Sequence, residues 1–511
     1  MKIVTAEQMR EIDAACVRRG IPTSALMENA GKAVAEEARR FLGELQFHHV
    51  LCLVGGGNNG GDGLVTARYL RKWGADVTVY LCAARPANDA NLKLVKKLGI
   101  DCIEAAADKG FKKFDALLAA ATCVVDAILG TGKMRPLEGV FKTVLQKVSE
   151  TKENRLALVV AVDLPSGLDA NTGAIDPACP SADLTVTLAF PKPGLFLFPG
   201  AEKVGELVIA DIGIPESLAD SIKMELLSPG WARKALPTRI LNSNKGTYGK
   251  VLVVAGSQNY IGAAYLACAG ALRVGAGLVT LAISHDLQTY VASHLAEATY
   301  LPLPESGAAG AKIIARECGN CDVLLLGCGL GQSPAVIELV KSIIKIKDLP
   351  RLVVDADGLN ILASLPSWWQ KFPDNAVITP HPGEMARLSG MSVKKVQAER
   401  LGVAEKFATK WRKTVLLKGA FSVIASPDGR TRISPFANAG LATAGTGDVL
   451  AGAIAGFLAQ GTDTFDAASL GVFVHGRAGE NVKNDFGDAG MIASDLLQVL
   501  PAAIKQIKNR G

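Results

Sequence analysis

Residues 438–452 read NAGLATAGTGDVLAG, and they decide how the C-terminal half of this chain folds. Gly445-Thr446-Gly447-Asp448 runs into Val449-Leu450-Ala451-Gly452, the start of a small-residue helix predicted to end near Gly461. Glycines just before a helix let bare backbone amides converge on an anion, and the helix dipole adds to the attraction. The stretch therefore reads as a phosphate-holding turn between a strand and a helix. Asp448 at such a place handles a proton or a metal ion, and is read as a catalytic base. The alternative is a tight Gly/Ala turn packed on a strand, with Asp448 as a simple N-cap.

A chain of 511 residues exceeds the roughly 250–300 over which one core keeps growing, so two or more domains are expected. With 49% hydrophobic and 20% charged residues and 53 glycines, the chain has the composition of α/β protein with tight strand-to-helix turns. A net charge of +6 with no basic, aromatic-interleaved run argues against nucleic acid as partner, and no apolar segment reaches membrane-span length. The N-terminus lacks a signal-type apolar core, and ten scattered cysteines fit a reducing compartment, so a cytoplasmic protein is expected, with no membrane partner. Cys318 and Cys321 have CxxC spacing but no second pair, which favours a structural role over zinc or redox chemistry.

The N-terminal half opens with a capping-box helix from Thr5 and Gln8 and a second helix over about 25–41, able to cover a sheet edge or a partner subunit. The strand 50–54 then enters Gly55-Gly56-Gly57-Asn58-Asn59-Gly60-Gly61-Asp62-Gly63, read as a glycine loop before a helix at 64–73. Formally this is GxGxxG, yet the next strand, 75–82, ends in Ala83-Ala84-Arg85 with no acid to grip a ribose. The usual dinucleotide mode is disfavoured. Further strands are predicted at 123–129, 156–162, 184–189 and 206–211, with polar residues at their ends: Asp126 with Gly130-Thr131-Gly132-Lys133, and Asp163-Leu164-Pro165-Ser166. Ala127 and Met134 exclude a P-loop, and capped turns are the alternative for each aspartate alone.

Residues 215–237 break the alternation and are read as an interdomain segment. Beyond it, strands are predicted at 250–255, 278–283, 323–326, 352–355, 376–379, 415–417 and 422–425. Several end in polar or glycine-rich residues, Gly327-Cys328-Gly329, Asp355-Ala356-Asp357, His381 between two prolines, and Lys418-Gly419, which converge on one rim as a pocket.

These residues together resemble the bifunctional nicotinamide-nucleotide repair enzymes, an NAD(P)H-hydrate epimerase fused to an ADP-dependent NAD(P)H-hydrate dehydratase. LMENAG (26–31), GGGNNGGDG (55–63), DAILGTG (126–132) and VDLPSGLD (162–169) carry the first half; HPGEMARLSG (381–390), LLKGAFSVI (416–424) and the opening stretch carry the second. Ala444 stands where the family commonly has a second glycine. The resemblance implies a Rossmann-like parallel-sheet domain over 1–220 and a ribokinase-like α/β domain over 226–511. It implies hydrated NAD(P)H (NAD(P)HX) as substrate, bound in the epimerase by Asn58, Asn59, Gly60, Gly61, Asp62, Gly130, Thr131, Gly132, Lys133, Met134, Arg135, Pro136 and Asp163. Potassium (K+) would sit on Asn59, Asp126 and Ser166, and Asp163 would be the acid/base. In the dehydratase, ADP would lie on Lys418, Gly419, Ala420, Phe421, Ser422, Asn438, Ala439, Gly440, Leu441, Ala442, Thr443, Ala444, Gly445, Thr446 and Gly447, accompanied by magnesium (Mg2+) with no ligand named. Ala263, Gly329, His381 and Asp448 would contact the hydrate, with Asp448 as base. A homo-oligomer is expected. The competing readings are a ribokinase-type small-molecule kinase, and a non-catalytic nucleotide-sensing module in the first half.

Overall fold

Runs of valine, leucine and cysteine bounded by glycine become strands covered on both faces, as apolar runs without alternation do. The computed structural model describes residues 1–132, 136–154 and 157–509 and separates into two units, Met1–Lys223 and Met224–Gly511. The first holds strands β1 (His49–Val54), β2 (Asp76–Leu81), β3 (Asp101–Glu104), β4 (Cys123–Ala127), β5 (Leu158–Val162), β6 (Leu184–Leu188) and β7 (Glu206–Ala210). They pair in parallel in the order β3-β2-β1-β4-β5-β6-β7. The order reverses between β1 and β4, and their carboxyl ends open a crevice there.

The glycine run after β1 is where expectation and structure part. Only residues 55–57 form a loop, because the helix starts at Asn58 and continues to Lys72. Glycine costs about 1 kcal/mol in a helix relative to alanine, but here it permits contacts that no side chain allows. A Cβ on Gly60 would lie 2.0 Å from the Gly55 carbonyl oxygen, and one on Gly63 would lie 2.4 Å from Ala127 Cβ. The leading helices, Ala6–Arg18 with its Thr5–Gln8 capping box and Thr23–Leu42, belong to this unit. The second packs on helix Asn58–Lys72 and on β6 and β7.

The second unit contains β8 (Met224–Leu226), β9 (Lys250–Val254), β10 (Leu278–Ser284), β11 (Thr299–Leu303), β12 (Val323–Leu326), β13 (Arg351–Val354), β14 (Ala376–Ile378), β15 (Thr414–Leu417), β16 (Val423–Ala425) and β17 (Thr431–Ile433). Their order is β11-β10-β9-β12-β13-β14-β15-β16-β17-β8. Only the β15–β16 and β16–β17 pairs are antiparallel. The stretch expected to join the domains supplies β8 and helix Pro229–Ala235 to this unit, and the division falls at Met224. Helix Thr446–Ala459 lies close against helix Ile261–Arg273: a Cβ on Gly452 would be 2.0 Å from the Ala267 carbonyl oxygen. Among the described residues, no helix is long and apolar enough to cross a membrane.

Candidate functional sites

The N-terminal crevice is a cavity of about 740 Å³. Asn58, Asn59 and Asp62 reach it from the first turns of their helix, Gly130, Thr131 and Gly132 from the end of β4, and Asp163 from the end of β5. Gly60 and Gly61 pack instead against the Gly55 carbonyl and the Met27 side chain, and Pro136 is exposed without lining the cavity. Lys133, Met134 and Arg135 lie outside the described residues, as does Leu156 at the head of the predicted fifth strand.

Asp163 adopts a left-handed backbone (φ 66°), uncommon for a residue with a side chain. Its Oδ1 accepts from Lys192 Nζ at 2.5 Å, Thr187 Oγ1 at 3.1 Å and the Leu188 amide at 3.1 Å. Lys192 is 1% exposed, so this is a buried ion pair with its remaining donors used on Thr187 and the Leu188 carbonyl. The sequence reading missed Lys192. Its one signal is the Pro191-Lys192-Pro193 setting directly after β6. Asp62 lines the same cavity but takes no side-chain hydrogen bond from the described residues, and burial, then Asp163 and Asp13, push its carboxyl well above the ordinary range.

Beside the cavity, oxygens cluster. Asp126 is fully buried, accepts from Ser166 through hydroxyl (2.6 Å) and amide (2.7 Å), and burial raises its carboxyl. The Leu129 carbonyl accepts from Asn59 Nδ2 at 2.9 Å and Ser166 Oγ at 3.3 Å. Arg85 donates to the carbonyls of Gly55 (2.6 Å) and Gly57 (3.1 Å), so a guanidinium occupies the region where a dinucleotide fold would want an acid.

In the C-terminal unit Gly445 (φ 89°) is the N-cap of helix Thr446–Ala459, with no side-chain cap. Asp448 is therefore the third helical residue and not the cap. Among the described residues the amides of Gly447 and Asp448 find no acceptor, which leaves the helix N-terminus bare. Asp448 shares a cluster with Cys328 and Asp355, their ligating atoms all within 4.8 Å of one another. Burial, followed by the Asp355 charge, lifts Asp448 to about 7. The Cys328 thiol and the Lys418 charge offset this only in part, because Lys418 Nζ is 2.5 Å from Asp355 Oδ1 and 3.9 Å from Glu384. Burial opposes the Lys418 charge, but Asp355 and Glu384 outweigh it and hold the ammonium above its ordinary range. Burial also takes Glu384 to about 7.

A cavity of about 190 Å³ adjoins this cluster, lined by Lys418, Gly419, Ala420, Ser422 and Asn438, and by Leu441, Ala442, Thr446 and Gly447. Phe421, Ala439, Gly440, Thr443, Ala444 and Gly445 do not line it. Several of these shape the loop instead: Thr443 Oγ1 donates to the Gly440 carbonyl, and the Gly440 amide donates to Asn438 Oδ1. The Asn438 side-chain nitrogen Nδ2 is buried, and among the described residues it has no hydrogen-bond partner. A missed residue, His475, sits within helix Thr464–Phe486 and places Nε2 3.0 Å from the Thr446 carbonyl. A carbonyl only accepts, so Nε2 carries the proton, and burial lowers the imidazole to about 4 and keeps it neutral.

Ala263 and Gly329 stand side by side; a Cβ on Gly329 would be 2.6 Å from that of Ala263. His381 caps helix Pro382–Ser389, its Nδ1 accepting from the Gly383 amide at 3.0 Å while its own amide donates to Glu384. Burial, then Lys418, depresses its basicity. Cys318 and Cys321 are free, and among the described residues no third ligand joins them.

Residues 251–502 match the NAD(P)H-hydrate dehydratase family, and residues 23–194 match the YjeF-related protein N-terminus. Over 522 residues, the chain is 42% identical to the bifunctional NAD(P)H-hydrate repair enzyme Nnr of Moorella thermoacetica, covering 99% of this chain and 97% of that one. The chain belongs to the bifunctional NAD(P)H-hydrate repair enzymes. It is 37% identical to the Nnr enzyme of Thermofilum pendens over 99% of its own length and 97% of the relative's. The repair-enzyme family joins an isomerase half and a lyase half, and this chain carries both. Its C-terminal fold is ribokinase-like. An ADP/ATP-dependent NAD(P)H-hydrate dehydratase from Bacillus subtilis, co-crystallised with ATP and Mg2+, superposes with a TM-score of 0.50 at 31% identity, covering 56% of this chain and 100% of that one. A ribokinase-like superfamily protein from Enterococcus faecalis does so with a TM-score of 0.50 at 26% identity, covering 56% and 96%.

Proposed function

We propose that residues 1–220 interconvert the R and S forms of NAD(P)HX, and that residues 226–511 dehydrate the S form at the expense of ADP, giving NAD(P)H, AMP and phosphate. The observation that carries the second half is Asp448, a carboxyl held near neutrality beside a bare helix N-terminus. At pH above about 7 it is ionised and able to take the proton of the C6 hydroxyl. The freed oxygen attacks the β-phosphate of ADP, with the amides of Gly447 and Asp448 steadying the transferring group. Phosphate then leaves C6 with the C–O electron pair, and the neighbouring C5 proton passes to water as its C–H pair forms the ring double bond. ADP lies along Lys418–Ser422 and the loop 438–447, with Asn438 and the His475-braced Thr446 at its wall.

Magnesium carries one or two carboxylates plus phosphate oxygens in such sites. Asp355, buried beside Asp448, fits that donor set; the Cys328 thiol, soft and raised by burial, does not. When bound, the ion neutralises phosphate charge.

In the epimerase, C6 bears both a hydroxyl and the ring nitrogen, so departure and return of the hydroxyl inverts it. Asp163, paired with Lys192, is the acid/base. The all-oxygen set of Asn59, Asp126 and Ser166, with the Leu129 carbonyl, fits potassium, which would lend positive charge to one wall of the cavity. Ten free cysteines support a cytoplasmic setting.

Pure R hydrate incubated with the enzyme decides the reading. NADH absorbance should recover only when ADP is added, since both halves are needed. A stable phosphoester accumulating in its place would establish a ribokinase-type kinase.

A further inference from the structure

The reading above gives Asp62 no chemical task, yet its setting is unlike that of any other cavity residue. Its side chain is 93% buried, the accessible part faces the cavity, and none of the described residues donates to its carboxyl; Thr66 bonds only its backbone carbonyl. The charged groups that face it are Asp163 from the end of β5, Lys192 from beyond β6, Asp13 from the first helix and Arg85 from beyond β2. Lys192 is committed to Asp163, and Arg85 to Asp89 and to two loop carbonyls. Asp163 has the opposite surroundings, with an ammonium, a hydroxyl and an amide all on one oxygen. A buried carboxyl without donors is stable as the neutral acid, and one with three donors is stable as the anion. Two carboxyls whose surroundings separate them this way, in one cavity, make an acid and a base.

The geometry points to Asp62 as the general acid of the epimerisation, acting in the same cavity as Asp163, the base; this rests on the epimerase reading of the N-terminal unit. In the R-to-S direction the C6–O bond breaks with its electron pair on oxygen, which takes the Asp62 proton and departs as water. The ring-nitrogen lone pair closes a C6=N1 double bond. A second water adds to the opposite face of C6, the π pair returns to nitrogen, and the water's spare proton passes to Asp163. Asp62 ends ionised and Asp163 protonated, and exchange with solvent water at the open cavity resets them. Burial, then the charges of Asp163 and Asp13, favours the protonated form of Asp62 that this cycle starts from.

The test uses the full-length enzyme without ADP, following R/S interconversion against pH and in ¹⁸O-water. Asp62→Asn should lower kcat by about 10²- to 10⁴-fold with KM little changed, the usual span for losing a general acid. It should also remove the alkaline limb of the pH profile. A raised KM with kcat intact would make Asp62 a binding residue only and overturn the proposal. Asp62→Glu should keep a measurable rate with its alkaline limb displaced; an unmoved limb would count against the role, whatever Asp62→Asn does to folding. Wild-type enzyme should place one solvent oxygen on C6 per inversion, and retention of the original oxygen would exclude C6–O cleavage. If wild-type enzyme shows no interconversion at all, the epimerase reading itself fails; normal wild-type activity with Asp62→Asn unaffected removes only this inference.

Discussion

In the N-terminal unit a buried lysine reaches the proposed acid/base, Asp163, whereas in the C-terminal unit the lysine pairs with Asp355, beside the proposed base Asp448. Lys192 Nζ lies 2.5 Å from Asp163, but Lys418 Nζ lies 2.5 Å from Asp355, and among the described residues Asp448 has no ion-pair partner. Both carboxylates stand near the carboxyl ends of parallel strands, so the fold alone does not separate their roles. The position of one ammonium does: it sits on Asp163 in one unit and on Asp355 beside Asp448 in the other, where burial lifts Asp448 to about 7. The glycines differ in the same spirit. Those at 60 and 63 press a helix onto its strand, while Gly445 turns the chain so that the next amides stay bare.

The comparison breaks most visibly at the two aspartates. Asp448→Ala should abolish ADP-dependent NADH formation from the S hydrate, by about 10³-fold or more, while R/S interconversion persists; Asp163→Asn should do the reverse. Assaying both reactions on both variants checks this, and joint loss would mean that the sites are not separate. Lys192→Met strands a buried anion and should destabilise the N-terminal unit by about 3–5 kcal/mol in denaturant unfolding. Adding Asp163→Asn should recover much of that loss, because the two act as a pair.

A sharper test concerns pH. Asp448 titrates at about 7, so dehydratase kcat/KM should fall about tenfold per pH unit below that value. Asp355→Asn releases Lys418 toward Asp448 and should move this limb to lower pH. The sign for stability is opposite to that of an ordinary salt-bridged carboxylate. With its folded pKa raised, Asp448 binds protons more tightly in the native state, so stability is lost as pH rises from about 4 to 7. Asp448→Asn should therefore melt higher than wild type above pH 7, with the difference vanishing toward pH 4. The smallest effect is expected from His475→Phe, which removes a donor from the Thr446 carbonyl: KM for ADP should rise several-fold, up to about tenfold, with kcat nearly unchanged.

The central strands were legible in the sequence because burial on both faces leaves uninterrupted apolar runs. Four strands were not: β3, β8, β11 and β17 lie at or beside sheet edges. Asp101 and Glu104 leave β3 without an apolar run, Pro302 interrupts β11, and β8 and β17 are three residues each, the latter centred on Arg432. The turn into helix Thr446–Ala459 was readable because Gly445, Thr446, Gly447 and Asp448 are contiguous. Lys192 and His475 were not, since each meets its target only through the fold, 29 residues from both Asp163 and Thr446. The helical start at Asn58 was hidden for a local reason: glycine reads as loop until the strand it must touch is in view.

The fate of the C6 oxygen distinguishes phosphoryl transfer from direct loss of water. S hydrate carrying ¹⁸O at C6 is incubated with the enzyme and ADP, and the inorganic phosphate is analysed by mass spectrometry. If Asp448 frees that oxygen to attack the β-phosphate, each phosphate released carries one ¹⁸O. Label appearing in water, with unlabelled phosphate, would contradict phosphoryl transfer to the hydrate.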